Sequence, residues 1–153
     1  MSTTPKNSSL FVRSSNTIET CLVHMVKRNT SCAVIVDEST EYVQGIVTER
    51  DIMRKIAGLD LKDRLLYKVN TIMSKPVHCV RRYHLLEDLR ELHFNHGHRH
   101  FLVCYESIKN PRRDDVIGLI HPRHIFSMFL NGETLTEESL NNKLVEWFHA
   151  DQL

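Results

Sequence analysis

The sequence predicts an α+β fold: two β-α-β-β-α repeats packed with pseudo-twofold symmetry, followed by a C-terminal helix. Three observations predict it. The same order of strand-like and helix-like patterns occurs twice. Matching landmarks stay in register, Thr17 with His84, Asp37 with Tyr105 and Gly45 with Gly118. The offset between the copies changes mainly in Glu106 to Asp115, a polar stretch where an inserted surface loop costs little. With 41% hydrophobic and 25% charged residues in 153, the chain can bury a core without disulfides or metals.

The elements follow in order. Residues 1–9 are polar and read as a loose tail. Repeat 1 spans 10–58. Leu10 to Arg13 is a short strand, and Ser14 to Thr17 supplies cap residues. Ile18, Cys21, Leu22, Met25 and Val26 fall on one helix face. Cys32 to Val36 is a β-branched run, Asp37 to Thr40 a turn, and Tyr42 to Val47 the returning strand. A helix over Glu49 to Ile56 points Ile52, Met53 and Ile56 inward, with Gly58 as its stop. Residues 59–71 form a connector with a helical turn near Leu61 to Leu66.

Repeat 2 spans 72–130. Pro76 breaks any helix, and Val77 to Val80 reads as a strand. Leu85, Leu89 and Leu92 give helical spacing. Phe101 to Tyr105 and Val116 to Ile120 are strands, and His124 to Leu130 is a helix ending near Gly132. In the extension, 131–153, Thr136-Glu137-Glu138 opens a helix that keeps Leu140, Leu144, Trp147 and Phe148 on one side.

Composition excludes some functions. A net charge of +1 gives no argument for nucleic acid or an anionic membrane. No apolar run reaches the length of a membrane span, and the start lacks an apolar signal region, so a cytoplasmic location is expected. Cys21, Cys32, Cys79 and Cys104 form no C-x-x-C pair; they read as small buried hydrophobes in a reducing compartment.

The chemistry concentrates in Gly45-Ile46-Val47-Thr48-Glu49-Arg50-Asp51-Ile52. A strand ends at a hydroxyl, a helix begins, and a carboxylate follows three residues on. Such a junction suits a polyol or phosphate, because free N–H groups point outward there. The same spacing also makes an ordinary helix cap.

These motifs resemble a CBS domain, named for cystathionine β-synthase. The resemblance rests on Thr17-Ile18, Val36-Asp37-Glu38 and Gly45 to Ile52 in the first copy. In the second it rests on Ile72-Met73-Ser74-Lys75-Pro76-Val77, Arg99-His100-Phe101-Leu102-Val103 and Ile117-Gly118-Leu119-Ile120. It covers about residues 10–130 and implies a tandem pair, or Bateman module: a regulatory binding module and not an enzyme. It implies an adenosine-containing ligand (AMP, ADP, ATP, NAD or S-adenosylmethionine) in a cleft between repeats, with no cofactor required. Thr48 and Asp51 correspond to the family's ribose-contacting hydroxyl and carboxylate, a charged acceptor suited to two hydroxyls. Arg50 is placed for phosphate, Ile46 for an adenine face, and Tyr83 to flank the base or ribose. Cys32 stands where some relatives carry a basic phosphate contact. The resemblance also implies a flat homodimer through the helices after Thr48 and His121. A chain without its own effector domain is then expected to act on a regulated protein partner or a second copy. Trp147 and Phe148 are expected to pack on their own chain or in the dimer.

Repeat 2 departs from the pattern. His121 stands for Thr48 and His124 for Asp51. Ordinary ribose recognition is not expected there; Arg99, His100, His121, Arg123 and His124 would form an anion site if they converge. The histidine-dense stretch containing His93, His96, His98 and His100 has no acidic or cysteine partners at matching spacing, so no metal site is assigned. No nucleophile, base and orienting group are found together, so no catalytic residue is assigned. The alternatives are a ligand-free dimerisation module and a histidine-rich metal-binding protein.

Overall fold

β-branched and apolar residues build two separate three-stranded sheets. The computed structural model describes residues 9–57, 61–95, 100–106 and 109–148. Its contacts divide the chain into a first unit over Ser9–Val77 and a second from His78 onward.

The first unit contains β1 (Phe11–Arg13), α1 (Ile18–Arg28), β2 (Cys32–Val36), β3 (Val43–Thr48), α2 (Glu49–Ile56) and α3 (Leu61–Leu65). β1 runs parallel to β2, and β2 is antiparallel to β3. Thr17 caps α1 by accepting from Thr20 N at 3.1 Å. Asn29 ends it in the left-handed region, φ 50°, which asparagine tolerates. In the β2–β3 turn the Asp37 Oδ2 accepts from the backbone and hydroxyl of both Ser39 and Thr40, at 2.9–3.1 Å. The Thr40 backbone bond, then those hydroxyls, hold the Asp37 carboxyl down at about 2.

The second unit repeats the topology with β4 (His78–Arg81), β5 (Phe101–Cys104) and β6 (Val116–Ile120). The agreement extends to an irregularity. The β2–β3 register shifts between Ile35 and Val36, one step after Ile35 pairs with Gly45. The β5–β6 register shifts between Val103 and Cys104, one step after Val103 pairs with Gly118. Bulges are specific features, so finding one at the same step in both hairpins supports the predicted duplication.

The helices of the second unit depart from their counterparts. The Leu85–Leu92 spacing predicts one helix. The structure gives a 3-10 turn over Arg82–His84, a short α4 (Leu85–Leu89) and a π-helical turn over Arg90–Asn95. α5 (Pro122–Leu130) starts two residues earlier than predicted, because proline suits a first turn whose N–H groups have no helical partner. α6 (Glu137–Phe148) opens with a reciprocal cap: Ser139 N donates to Thr136 Oγ1 at 3.0 Å and Thr136 N to Ser139 Oγ at 2.9 Å.

Each unit has its own core. Ile18, Met25, Ile35, Val47 and Ile52 lie in the first, and the supposed connector joins it: Val69 is fully buried, and Leu65, Ile72 and Met73 pack against it. Phe101, Val103, Ile117 and Met128 lie in the second with Leu140, Leu144 and Phe148 of α6. α6 therefore packs on its own chain. Cys21, Cys32 and Cys104 are buried and Cys79 half-buried, all as thiols outside any disulfide. Burial alone pushes the Cys21 thiol up to about 11, which suits an inert packing role. Among the described residues no helix is long and apolar enough to cross a membrane. The predicted helix stop at Gly58 and most of the residue 1–9 tail lie outside the described residues.

Candidate functional site

β3 delivers Thr48 to the head of α2 in extended conformation, φ −112° and ψ 165°. Asp51 N donates to Thr48 Oγ1 at 3.2 Å, and Thr48 N donates to Asp51 Oδ2 at 2.9 Å. The Thr48 hydroxyl also donates to Oδ2, at 3.0 Å. This is a capping box, and it satisfies two N–H groups that the helix start would otherwise leave open. The cap draws on one carboxylate oxygen. Among the described residues the other, Oδ1, meets only the Ser74 hydroxyl, at 3.5 Å. A carboxylate has about four acceptor positions, so Asp51 retains capacity toward an outside donor. Thr48 and Asp51 are both half-buried.

Ser74 was not anticipated. It is held there because Ile46 and Ser74 exchange backbone hydrogen bonds at 3.0 and 2.8 Å, laying the segment after the connector along the β3 edge. The one available signal was a hydroxyl inside Ile72-Met73-Ser74-Lys75-Pro76, a stretch read only as the start of a repeat. Gly45 permits this approach: a Cβ there would lie 2.8 Å from Met73 and 2.9 Å from the Ser74 carbonyl oxygen. Ile46 is buried in the strand, Arg50 is exposed on the first turn of α2, and Cys32 pairs with Thr48 across the sheet. Thr48, Asp51, Arg50 and Ile46 thus share one strand–helix junction. Tyr83 belongs to the second unit, 61% exposed, with the Arg82 guanidinium 5.2 Å over its ring.

The second copy forms the same box from imidazoles. Arg123 N donates to His121 Nδ1 at 3.1 Å, and His121 N to His124 Nδ1 at 3.0 Å. Each Nδ1 accepts, so each ring carries its proton on Nε2. Histidine here replaces the capping chemistry of threonine and aspartate without their negative charge. Burial, then the charges of Arg123 and His121, push the His124 imidazole below its ordinary value.

Of the five residues proposed for an anion site, four are described, and His121 adjoins two of them, His100 by its ring and His124 through its backbone N–H. The His100 and His121 rings meet at 4.8 Å. His124 instead packs against Trp147, with ring centroids 4.9 Å apart, and Phe148 at 6.1 Å. Arg123 is exposed, and Arg99 lies outside the described residues, as do His96 and His98. Among the described residues no three His, Cys, Asp or Glu side chains converge as metal ligands do.

Known proteins place this geometry in context. The CBS domain family model matches residues 2–58 and 69–131. A CBS-domain protein from Agrobacterium tumefaciens is similar in structure, with a TM-score of 0.62 and 21% identity over 79% of this chain and 84% of that one. A putative signal-transduction protein with CBS domains from Burkholderia ambifaria also gives 0.62, at 22% identity over 84% and 87%. A CBS domain protein from Pyrobaculum aerophilum, complexed with AMP, gives 0.53 at 21% identity over 75% and 81%. At such identities the likeness shows the fold. No curated protein matches the sequence.

Proposed function

The chain belongs to the CBS-domain family, with two repeats in tandem, and from that premise we propose that it is a non-catalytic regulatory module that binds an adenosine-containing ligand at Thr48 and Asp51. One observation carries the reading: the Asp51 carboxylate caps α2 with one oxygen and presents the other at a half-buried strand end. A ribose offers two adjacent hydroxyl donors, and a charged acceptor binds them more strongly than a neutral one. Arg50 on the same turn supplies a guanidinium for phosphate, and Ile46 an apolar contact for the base. The AMP bound to the Pyrobaculum aerophilum relative makes AMP the first ligand to test; ADP, ATP, NAD and S-adenosylmethionine share its adenosyl group.

The module works as a cytoplasmic homodimer. α2 exposes Met53 at 63%, and α5 exposes Phe126, Phe129 and Leu130 at 58, 55 and 87%. Such rows suit burial against a second copy. Ligand binding then biases dimer geometry or affinity for a regulated protein by linkage.

Titration calorimetry decides the reading, with wild type and Asp51→Asn each titrated with the five ligands. Asparagine retains an oxygen for the Thr48 cap but removes the charge. The loss of hydrogen bonds to a charged group, about 1.5–3 kcal/mol, weakens binding roughly 10- to 100-fold. Wild type binding none of the five removes the sensor reading, and equal affinity for Asp51→Asn moves the site elsewhere. The completeness of the Thr48–Asp51 cap favours one alternative, a ligand-free dimerisation module, and wild type that dimerises but binds nothing establishes it.

A further inference from the structure

The two repeats cover the same glycine with different chain segments. Gly45 and Gly118 are equivalent, each pairing one step before the bulge. A Cβ on Gly45 would meet Met73 and the Ser74 carbonyl; a Cβ on Gly118 would lie 2.6 Å from the Phe148 ring. α6 thus lies over its repeat where residues 72–74 lie over theirs. The difference continues at the helix head. Asp51 has a small hydroxyl beside it, Ser74 Oγ at 3.5 Å. Its counterpart His124 has the Trp147 indole at 4.9 Å and Phe148 at 6.1 Å. α6 is also well anchored. Leu140 and Leu144 are fully buried, and Glu137 Oε1 accepts from Glu87 N at 3.1 Å. Lys143 bonds to Glu133 at 2.9 Å.

We infer that α6 is the resident occupant of the repeat 2 counterpart of the ligand site, with Trp147 closing the position that stays open beside Asp51. The chain then offers one adenosyl-binding surface, at Thr48 and Asp51, and not two. The ligand's identity rests on the function proposed above; the closure does not.

Trp147 is the single tryptophan in the chain, so indole fluorescence reports directly on this contact. A protonated imidazole quenches an adjacent indole. The groups acting on His124 are His121, Arg123 and the two rings. Emission of the full chain is expected to fall in one step below about pH 6.5, the ordinary imidazole value. His124→Asn should abolish that step. A step that survives His124→Asn overturns the contact. A second arm counts sites with AMP. His121→Thr/His124→Asp rebuilds the threonine–aspartate pair behind the indole and should still bind one AMP per chain. Adding Trp147→Ala should raise this to two. Two equivalents in the double variant, or one in the triple, overturns the closure. Wild type that binds no AMP defeats the proposed function alone, and the fluorescence arm still tests the closure.

Discussion

At the scale of single residues, one backbone task is done by two chemistries. Thr48 and Asp51 cap α2 with oxygens; His121 and His124 cap α5 with imidazole nitrogens. An Nδ1 that accepts a hydrogen bond cannot also hold a proton. The folded-state value of His124 lies below the ordinary imidazole value, chiefly through burial. Below about pH 6.5 the unfolded chain therefore binds more protons than the folded one. His124 contributes its full stability above that pH and loses it as pH falls through the folded value. Thermal unfolding followed by circular dichroism should show a midpoint that declines on acidification below about pH 6.5, and His124→Asn should flatten the decline. That the imidazoles would cap a helix was not legible in the sequence. Histidine is an uncommon cap, and the threonine–aspartate spacing was the recognisable form.

At the scale of elements, the helix starts and strands were largely readable. Periodicity and capping are short-range properties, so Thr17, Thr48 and Thr136 marked their helices within the next few residues. The covering of each sheet was less readable. The connector near Val69 has little periodicity, yet it completes the first core. Gly118→Ala drives a methyl into the Phe148 ring, and overpacking of this kind costs about 1–3 kcal/mol. Denaturant unfolding should show it as a lower midpoint with an unchanged slope. Gly45→Ala should also destabilise: the Met73 side chain can swing away, but the Ser74 carbonyl is backbone. Leu144→Ala should cost about 2–5 kcal/mol, since α6 supplies core to the second unit and is not an appendage.

At the scale of the whole molecule, duplication has produced two units with one topology and different closures. The proposed ligand binds the native state, so AMP at about 100 times its dissociation constant should add about 2.7 kcal/mol. A thermal-shift series with AMP measures this, and a gain cut to about 0.4–1.4 kcal/mol for Asp51→Asn at the same concentration assigns it to the candidate site. The proposed dimer has its own test. Phe129→Glu places a charge among the exposed apolar residues of α5 and should convert dimer to monomer in sedimentation velocity. A monomeric wild type removes that surface from the argument.

The amino-acid sequence by itself determined the duplication, its register, the strand–helix junction at Thr48 and the loss of the carboxylate in the second copy. These are properties of residue type and spacing along the chain. Only the tertiary structure decided what lies against each junction: Ser74 beside Asp51 in one unit, Trp147 beside His124 in the other. It also decided that, of three residues with helical spacing, Leu85 and Leu89 would lie in a short α-helix and Leu92 in a π turn. The physical reason is range. A cap or an apolar stripe is settled within a few residues, whereas the neighbour that covers it comes from a distant segment whose arrival depends on packing.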